Sequence, residues 1–82
     1  MEEEIRLVLS DETILGSLAE TISTDEALRS VGVDSLLAVR ILIQIEEVFN
    51  VEFLDHHLTL ETFSSIDSII KAIIEIRNTA DL

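Results

Sequence analysis

The sequence predicts an all-α bundle of three substantial helices and one short helix. Apolar residues recur every three or four positions in three separate segments, which is the spacing that places them on one face of a helix. No segment alternates strongly enough to predict a strand, although Ile5, Leu7 and Leu9 alternate near the start. The 82 residues contain no Pro, linker or repeat, so we expect one domain, residues 1–82, with a single core.

The first helix is predicted to begin in the acidic residues 2–4 and to end at Gly16. Acidic side chains stabilise the positive end of a helix dipole, and glycine readily adopts the left-handed conformation that ends a helix. Alternatively, residues 10–12 break this helix and restart it. Its apolar positions are Ile5, Val8, Leu9 and Leu15.

A long connection, residues 16–33, leads to the second helix, residues 34–49. Its apolar residues predict that it is pinned across helix ends, with a short turn at residues 25–29. Asp34 is a good N-cap, which makes Ser35 the first helical residue, and Asn50 suits the left-handed position after the helix.

The chain is predicted to finish with a short helical segment, residues 55–60, and a long last helix. The pattern Ser-Ser-Ile-Asp at residues 64–67 is similar to a capping box and marks the start of that helix. Helical spacing then continues through Ile66, Ile69, Ile70, Ile73, Ile74 and Arg77.

The second helix is apolar on more of its circumference than a small bundle needs. One stripe is expected to face the core: Ala38, Ile41, Leu42, Ile45, Val48 and Phe49. Leu36, Val39 and Ile43 form a second stripe, about a hundred degrees away. A helix that is apolar nearly all round is either fully buried or contacts something outside its domain. We therefore expect the second stripe to be a docking surface or the edge of a cleft, unless the short helix and the long connection cover it.

The charge and composition exclude several classes of protein. A formal net charge of −12 repels nucleic acid and anionic membrane surfaces, so neither is expected as a partner. The absence of Cys excludes disulfides and thiolate chemistry. The start is acidic, unlike a signal peptide, and no apolar run approaches the ~18 residues of a membrane span, so we expect a cytoplasmic protein.

Three chemical interpretations of Ser35 compete with simple helix capping. As a hydrolytic nucleophile it would need His56 or His57 as a base, yet no nucleophile-elbow motif surrounds it, and we predict no catalytic residues. A metal site would use Asp55, His56, His57 and Glu61; we predict none, because adjacent histidines on a helix diverge. The third interpretation is covalent modification, since a phosphate ester on Ser35 would be stabilised by the helix amides.

The string GVDSLLAVRILIQIEEVF, which begins at Gly32, resembles the attachment-site region of acyl and peptidyl carrier proteins. The carboxyl-terminal string LTLETFSSIDSIIKAI is similar to the end of such domains, and the resemblance covers essentially the whole chain. It implies a right-handed four-helix bundle with a short third helix.

The resemblance also implies a function. Ser35 would receive 4′-phosphopantetheine from coenzyme A through a phosphopantetheinyl transferase, which Asp34 would contact. The arm would then carry acyl or aminoacyl groups as thioesters, so the protein would be no enzyme and would present its cargo to others. The absence of Cys fits this division of labour, because the cofactor supplies the thiol.

The expected partners are the transferase, a loading enzyme of adenylation or acyltransferase type, and downstream synthase enzymes. The partner-facing residues are expected to be Leu36, Val39, Arg40, Ile43, Glu46 and Glu47. Carriers of fatty-acid synthesis resemble one another in a strongly acidic second helix, whereas Leu37 and Arg40 stand here where acids are expected. A monomeric carrier of a specialised pathway, polyketide-like or aminoacyl/peptidyl, is therefore favoured. The rival hypothesis is an unmodified acidic helical adaptor that uses the same stripe.

Overall fold

The computed structural model describes residues 1–80 and contains three α-helices in that range: α1, Glu2–Leu9; α2, Ser35–Phe49; and α3, Ile66–Ala80. The connections contain three short 3₁₀ segments, Gly16–Glu20, Leu28–Val31 and Asp55–His57. The all-helical prediction is confirmed, but the expected fourth helix is only the 3₁₀ turn Asp55–His57. The predicted single domain, residues 1–82, extends two residues beyond those described.

Helix α1 ends at Leu9 and not at Gly16, so the predicted boundary was wrong. The alternative was correct for the break but not for the restart, because residues 10–15 form turns and the next helical segment begins at Gly16. The break has a local cause, because the Asp11 carboxylate accepts hydrogen bonds from both the backbone N–H and the hydroxyl of Thr13, at 2.8 and 2.6 Å. These bonds stabilise a turn that competes with the helix. Gly16 is left-handed as expected, with φ of 59°, but it opens the first 3₁₀ segment.

Both predicted ends of α2 are confirmed. The Asp34 carboxylate accepts a hydrogen bond from the backbone N–H of Leu37 at 3.0 Å, which is the geometry of an N-cap. At the other end Asn50 has φ of 53° and ψ of 50°, so it leaves the helix in the left-handed conformation. Ser35 is therefore the first helical residue.

The core lies between the apolar faces of the three helices and is rich in isoleucine. The largest fully buried side chains are Ile5, Leu9, Leu28, Ile41, Ile45, Ile66, Ile69 and Ile73. Most of the predicted core stripe of α2 is buried, but Leu42 is only half-buried and Val48 is 54% exposed. The prediction that Val48 faces the core was therefore wrong, because near its carboxyl end α2 turns that position towards solvent.

The long connection is pinned as expected, although partly by polar contacts that were not foreseen. The guanidinium of Arg6 donates hydrogen bonds to the carbonyls of Ala19 and Ile22, at 2.9 and 2.8 Å. Further along, the backbone N–H of Leu28 donates to the Ser64 carbonyl at 2.8 Å. The short turn predicted at residues 25–29 is displaced towards Leu28–Val31.

The start of α3 follows the predicted capping pattern. The Ser65 hydroxyl oxygen accepts a hydrogen bond from the backbone N–H of Ser68 at 3.1 Å, so Ser65 is the capping residue. The helix then buries Ile66, Ile69 and Ile73. The segment before α3, residues 58–64, forms the wall that faces the amino-terminal end of α2.

Candidate functional site

Ser35 lies exposed in the first turn of α2. Within residues 1–80 no hydrogen bond involves its hydroxyl group. The first amides of an α-helix have no partner inside the helix, and here Asp34 satisfies only that of Leu37. The site therefore combines an accessible hydroxyl with adjacent N–H donors, which suits a negatively charged substituent.

Two adjoining clefts meet at Ser35. The larger has a volume of about 760 Å³ and the smaller about 410 Å³. Both are lined by Ser35, Ala38, Leu60 and Phe63, so they lie between the start of α2 and the segment that leads into α3. An extended group attached to Ser35 has an apolar surface immediately beside it.

Among residues 1–80, neither histidine considered as a base for Ser35 lies beside it. Neither cleft that Ser35 lines is lined by His56 or His57. His57 is buried at 4% exposure, and its Nε2 lies 3.2 Å from a carboxylate oxygen of Glu75 on α3. His57 is thus engaged with Glu75, and the position of the two histidines gives the nucleophile hypothesis no support.

The two histidines do converge, contrary to the expectation from helical geometry. Their ring centroids are 4.0 Å apart because they lie in a 3₁₀ turn, and possible ligand atoms of His56, His57 and Glu75 lie within 4.8 Å of one another. However, His57 Nδ1 accepts a hydrogen bond from the Leu54 N–H at 3.3 Å. The ring proton is therefore on Nε2, which donates a hydrogen bond to the Glu75 carboxylate. A metal at Nε2 would move that proton to Nδ1, against the Leu54 N–H. The cluster is explained as a buried histidine with both ring nitrogens satisfied, and the prediction of no metal site stays a prediction. The other two residues considered for a metal, Asp55 and Glu61, are exposed.

The second apolar stripe of α2 is exposed, so the short turn and the long connection do not cover it. Leu36 is 68% exposed, Val39 53% and Ile43 50%. These three side chains begin beside Ser35 and continue along the same helix. They form an uncovered apolar surface next to the reactive hydroxyl.

The charged residues predicted for the partner face differ in their surroundings. Arg40 and Glu47 are exposed. Glu46 is half-buried, and its carboxylate accepts a hydrogen bond from the backbone N–H of Phe53 at 2.9 Å. Glu46 therefore holds the chain after α2 in place, a contact that the sequence alone did not indicate.

The turn after α1 carries a perturbed carboxyl group near α2. Hydrogen bonds from the side chain and backbone of Thr13 lower the pKa of Asp11, and the charge of Arg40 contributes in the same direction. Because Asp11 is fully exposed, this effect is local and does not define a catalytic acid.

Sequence reasoning missed several residues that line the clefts. Leu58, Leu60 and Phe63, which precede the last helix, were assigned no function, although they line the smaller cleft. Arg29 was given no role, although it lines the larger cleft together with Asp34 and Ser35. A lone arginine in a connection has no pattern that would have identified it.

No helix among residues 1–80 is long and apolar enough to cross a membrane.

Comparisons with known proteins agree with this geometry. Residues 8–73 match the family model for the phosphopantetheine attachment site. The chain is 33% identical over 69 residues to an aminoacyl carrier protein of Agrobacterium fabrum, covering 84% of this chain and 83% of that protein.

Two solved structures are similar as well. Both are crystal structures of an engineered Bradyrhizobium japonicum glycine:[carrier protein] ligase complexed with the carrier protein from Agrobacterium tumefaciens, one with AMP and one with ATP. In the AMP complex the similarity has a TM-score of 0.83 at 31% identity and covers 90% of this chain and 99% of the matched chain. In the ATP complex the TM-score is 0.84 at 31% identity, with 92% and 97% covered.

Proposed function

The chain belongs to the phosphopantetheine attachment site family, and from that premise we propose that it carries aminoacyl groups on an arm attached to Ser35. Membership makes it a carrier protein and not an enzyme, with covalently attached 4′-phosphopantetheine as its cofactor. The arm supplies the thiol that holds a cargo as a thioester. The attachment residue, the class of cargo and the partners are the proposed part.

The observation that carries the proposal is the exposed Ser35 hydroxyl at the first position of α2. It makes no hydrogen bond within the described residues, it lies beside unsatisfied helix amides, and it opens onto both clefts. The first two features suit a phosphodiester, and the third suits an extended arm. The residues present therefore fit the cofactor.

Asp34 supports the attachment site in two ways. Its carboxylate caps α2 through the Leu37 N–H, which fixes the direction in which Ser35 points. It is also exposed, so it remains accessible to a phosphopantetheinyl transferase. We propose that the transferase contacts it while the cap is maintained.

The aminoacyl class of cargo is supported by the relative of that name at 33% identity. It agrees with the exposed Arg40 on α2, which departs from a uniformly acidic docking helix. We propose that an adenylating ligase loads the arm and that this ligase and the downstream enzymes dock on Leu36, Val39 and Ile43 of α2. These features support a role in a specialised pathway, separate from general fatty-acid synthesis.

Incubation with coenzyme A and a broad-specificity phosphopantetheinyl transferase, followed by intact-mass measurement, tests the attachment residue. We expect the mass of one phosphopantetheinyl group to be added to the wild-type chain and to Ser17→Ala, a matched change of another exposed serine. Ser35→Ala should remain unmodified. Addition to Ser35→Ala, or none to the wild type, would contradict the proposal.

Loading tests the class of cargo. The modified protein should accept an amino acid from an aminoacyl:carrier ligase and ATP, and Ile43→Asp should reduce loading while the circular dichroism of the fold is retained. Equal loading of fatty acyl groups by an acyltransferase would contradict the aminoacyl assignment. Binding that persists undiminished in Ser35→Ala and without coenzyme A would favour the unmodified adaptor.

A further inference from the structure

We propose that the guanidinium of Arg29 binds the phosphodiester that joins Ser35 to its arm. This makes Arg29 a positioning residue of the carrier site, and the proposal rests on the modification of Ser35 proposed above. It assigns a function to a residue whose role the sequence did not indicate.

The backbone holds Arg29 and Ser35 on the same cleft. Arg29 lies in the 3₁₀ segment Leu28–Val31, and both residues line the cleft of about 760 Å³. Between them the chain reverses at Gly32, whose φ of 103° is a conformation that favours glycine. The Val33 N–H then donates to the Leu28 carbonyl at 3.1 Å. This tight turn places the segment that carries Arg29 beside the start of α2.

The segment is also anchored to the opposite wall of the cleft. The backbone N–H of Leu28 donates to the carbonyl of Ser64 at 2.8 Å, and the Leu28 side chain is fully buried. Ser64 itself lines the same cleft. The backbone of Arg29 is therefore held between two fixed points, and only its side chain has to reach the phosphate.

The charges in the cleft favour this pairing. Arg29 is the cation among the residues that line it, and the acids there are Asp34 and Glu61. No ion pair within residues 1–80 uses Arg29, so its guanidinium is available. A phosphodiester at Ser35 brings a negative charge next to the Asp34 carboxylate, in a chain whose formal net charge is already −12. Arginine offers two parallel N–H donors to a phosphate and offsets this repulsion.

Contact with Arg29 would affect the direction in which the arm leaves Ser35. The α2 amides and Arg29 would both hold the phosphate, which would restrict the directions in which the arm leaves Ser35. A transferase or ligase that approaches the stripe on α2 would then find the arm already oriented.

Phosphorus NMR of the modified protein tests the pairing directly. The phosphodiester resonance is recorded for the wild type, Arg29→Gln, Arg29→Lys and the control Arg40→Gln, with the urea-unfolded wild type as the reference for an uncontacted phosphate. Arg40 is a suitable control because it is an exposed arginine that does not line the cleft. Circular dichroism confirms the fold of each variant.

We expect the native wild-type resonance to be shifted from the unfolded reference, and Arg29→Gln to lose at least about half of that displacement. Arg29→Lys should retain part of it and Arg40→Gln nearly all. Raising the salt concentration from about 0.1 M to about 1 M shortens the Debye length from about 10 Å to about 3 Å. This should move the wild-type phosphorus resonance towards the position found for Arg29→Gln.

Coincident spectra of the wild type and Arg29→Gln would overturn the role of Arg29, and so would equal effects of Arg29→Gln and Arg40→Gln. If Arg29→Gln fails to fold, Arg29→Lys and the salt response of the wild type decide the question. The proposal is overturned if the Arg29→Lys resonance coincides with that of the wild type and the wild-type resonance does not respond to salt. Absence of any protein-bound phosphorus signal would instead overturn the modification of Ser35, so the two failures are distinguishable.

Discussion

Replacing Ile45 with alanine should destabilise the domain far more than the same change at Ile43, two positions earlier on α2. Ile45 is fully buried, whereas Ile43 is 50% exposed. Truncating a buried isoleucine costs about 2–5 kcal/mol because it removes packed atoms and leaves a cavity. Burying a whole isoleucine contributes about 1.5–3 kcal/mol, so truncating the half-exposed Ile43 should cost at most about 0.8–1.5 kcal/mol. The higher helix propensity of alanine offsets a few tenths of this, which leaves a net loss of about 1 kcal/mol or less.

Urea unfolding followed by far-UV circular dichroism measures this difference. A slope of about 1 kcal/mol per molar predicts a midpoint lowered by about 2 M or more for Ile45→Ala and by less than about 1 M for Ile43→Ala. At about 0.05–0.15 kcal/mol per residue the whole domain has only about 4–12 kcal/mol of stability, so Ile45→Ala will be partly unfolded in dilute buffer if the total is at the low end. Equal losses for the two variants would refute the assignment of Ile43 to an uncovered surface and, with it, the docking stripe.

Two further changes test the cap of α2 and the turn after α1. Asp34→Ala should lower the free energy of unfolding by about 0.5–2 kcal/mol, because it removes the cap of α2. Asp34→Asn keeps the capping oxygen and should leave the free energy of unfolding nearly unchanged in the same urea assay. A large loss in Asp34→Asn would show that the charge, and not the cap, stabilises α2. Thr13→Val removes the largest cause of the lowered pKa of Asp11, so NMR titration should find that pKa raised. The lowered pKa of Asp11 stabilises the fold above the unfolded pKa of aspartate, and this contribution is lost as the pH falls through the folded pKa. Thr13→Val should therefore lose less stability than the wild type over that acidic range. An unchanged titration of Asp11 would contradict the assigned cause.

The features that the sequence predicted well are those with local causes. Asp34 and Asn50 mark the ends of α2 because a side-chain cap and a left-handed residue depend on their immediate neighbours. The exposed stripe followed from counting apolar positions around one helix. The resemblance around Ser35 then placed the candidate attachment site at the start of that helix.

The features that it missed depend on packing between distant segments or on a choice between local structures. Val48 has the spacing of a core residue, but it lies one residue before the end of α2, at a position that faces solvent. The convergence of His56 and His57 required a 3₁₀ turn in place of an α-helical one, and short segments leave that choice open. Arg29 lines the same cleft as Ser35 because the chain reverses at Gly32, and the sequence pattern does not indicate this reversal.

The isoleucine-rich interior limits how the domain can respond to what it carries. Of the eight largest fully buried side chains six are isoleucine, and a β-branched side chain in a helix has one strongly preferred rotamer. Binding a cargo group between the helices would force several of these isoleucine side chains out of their preferred rotamers. We therefore expect the proposed aminoacyl cargo to stay outside the core, on the cleft surface beside Ser35 or in solvent, where partner enzymes can reach it.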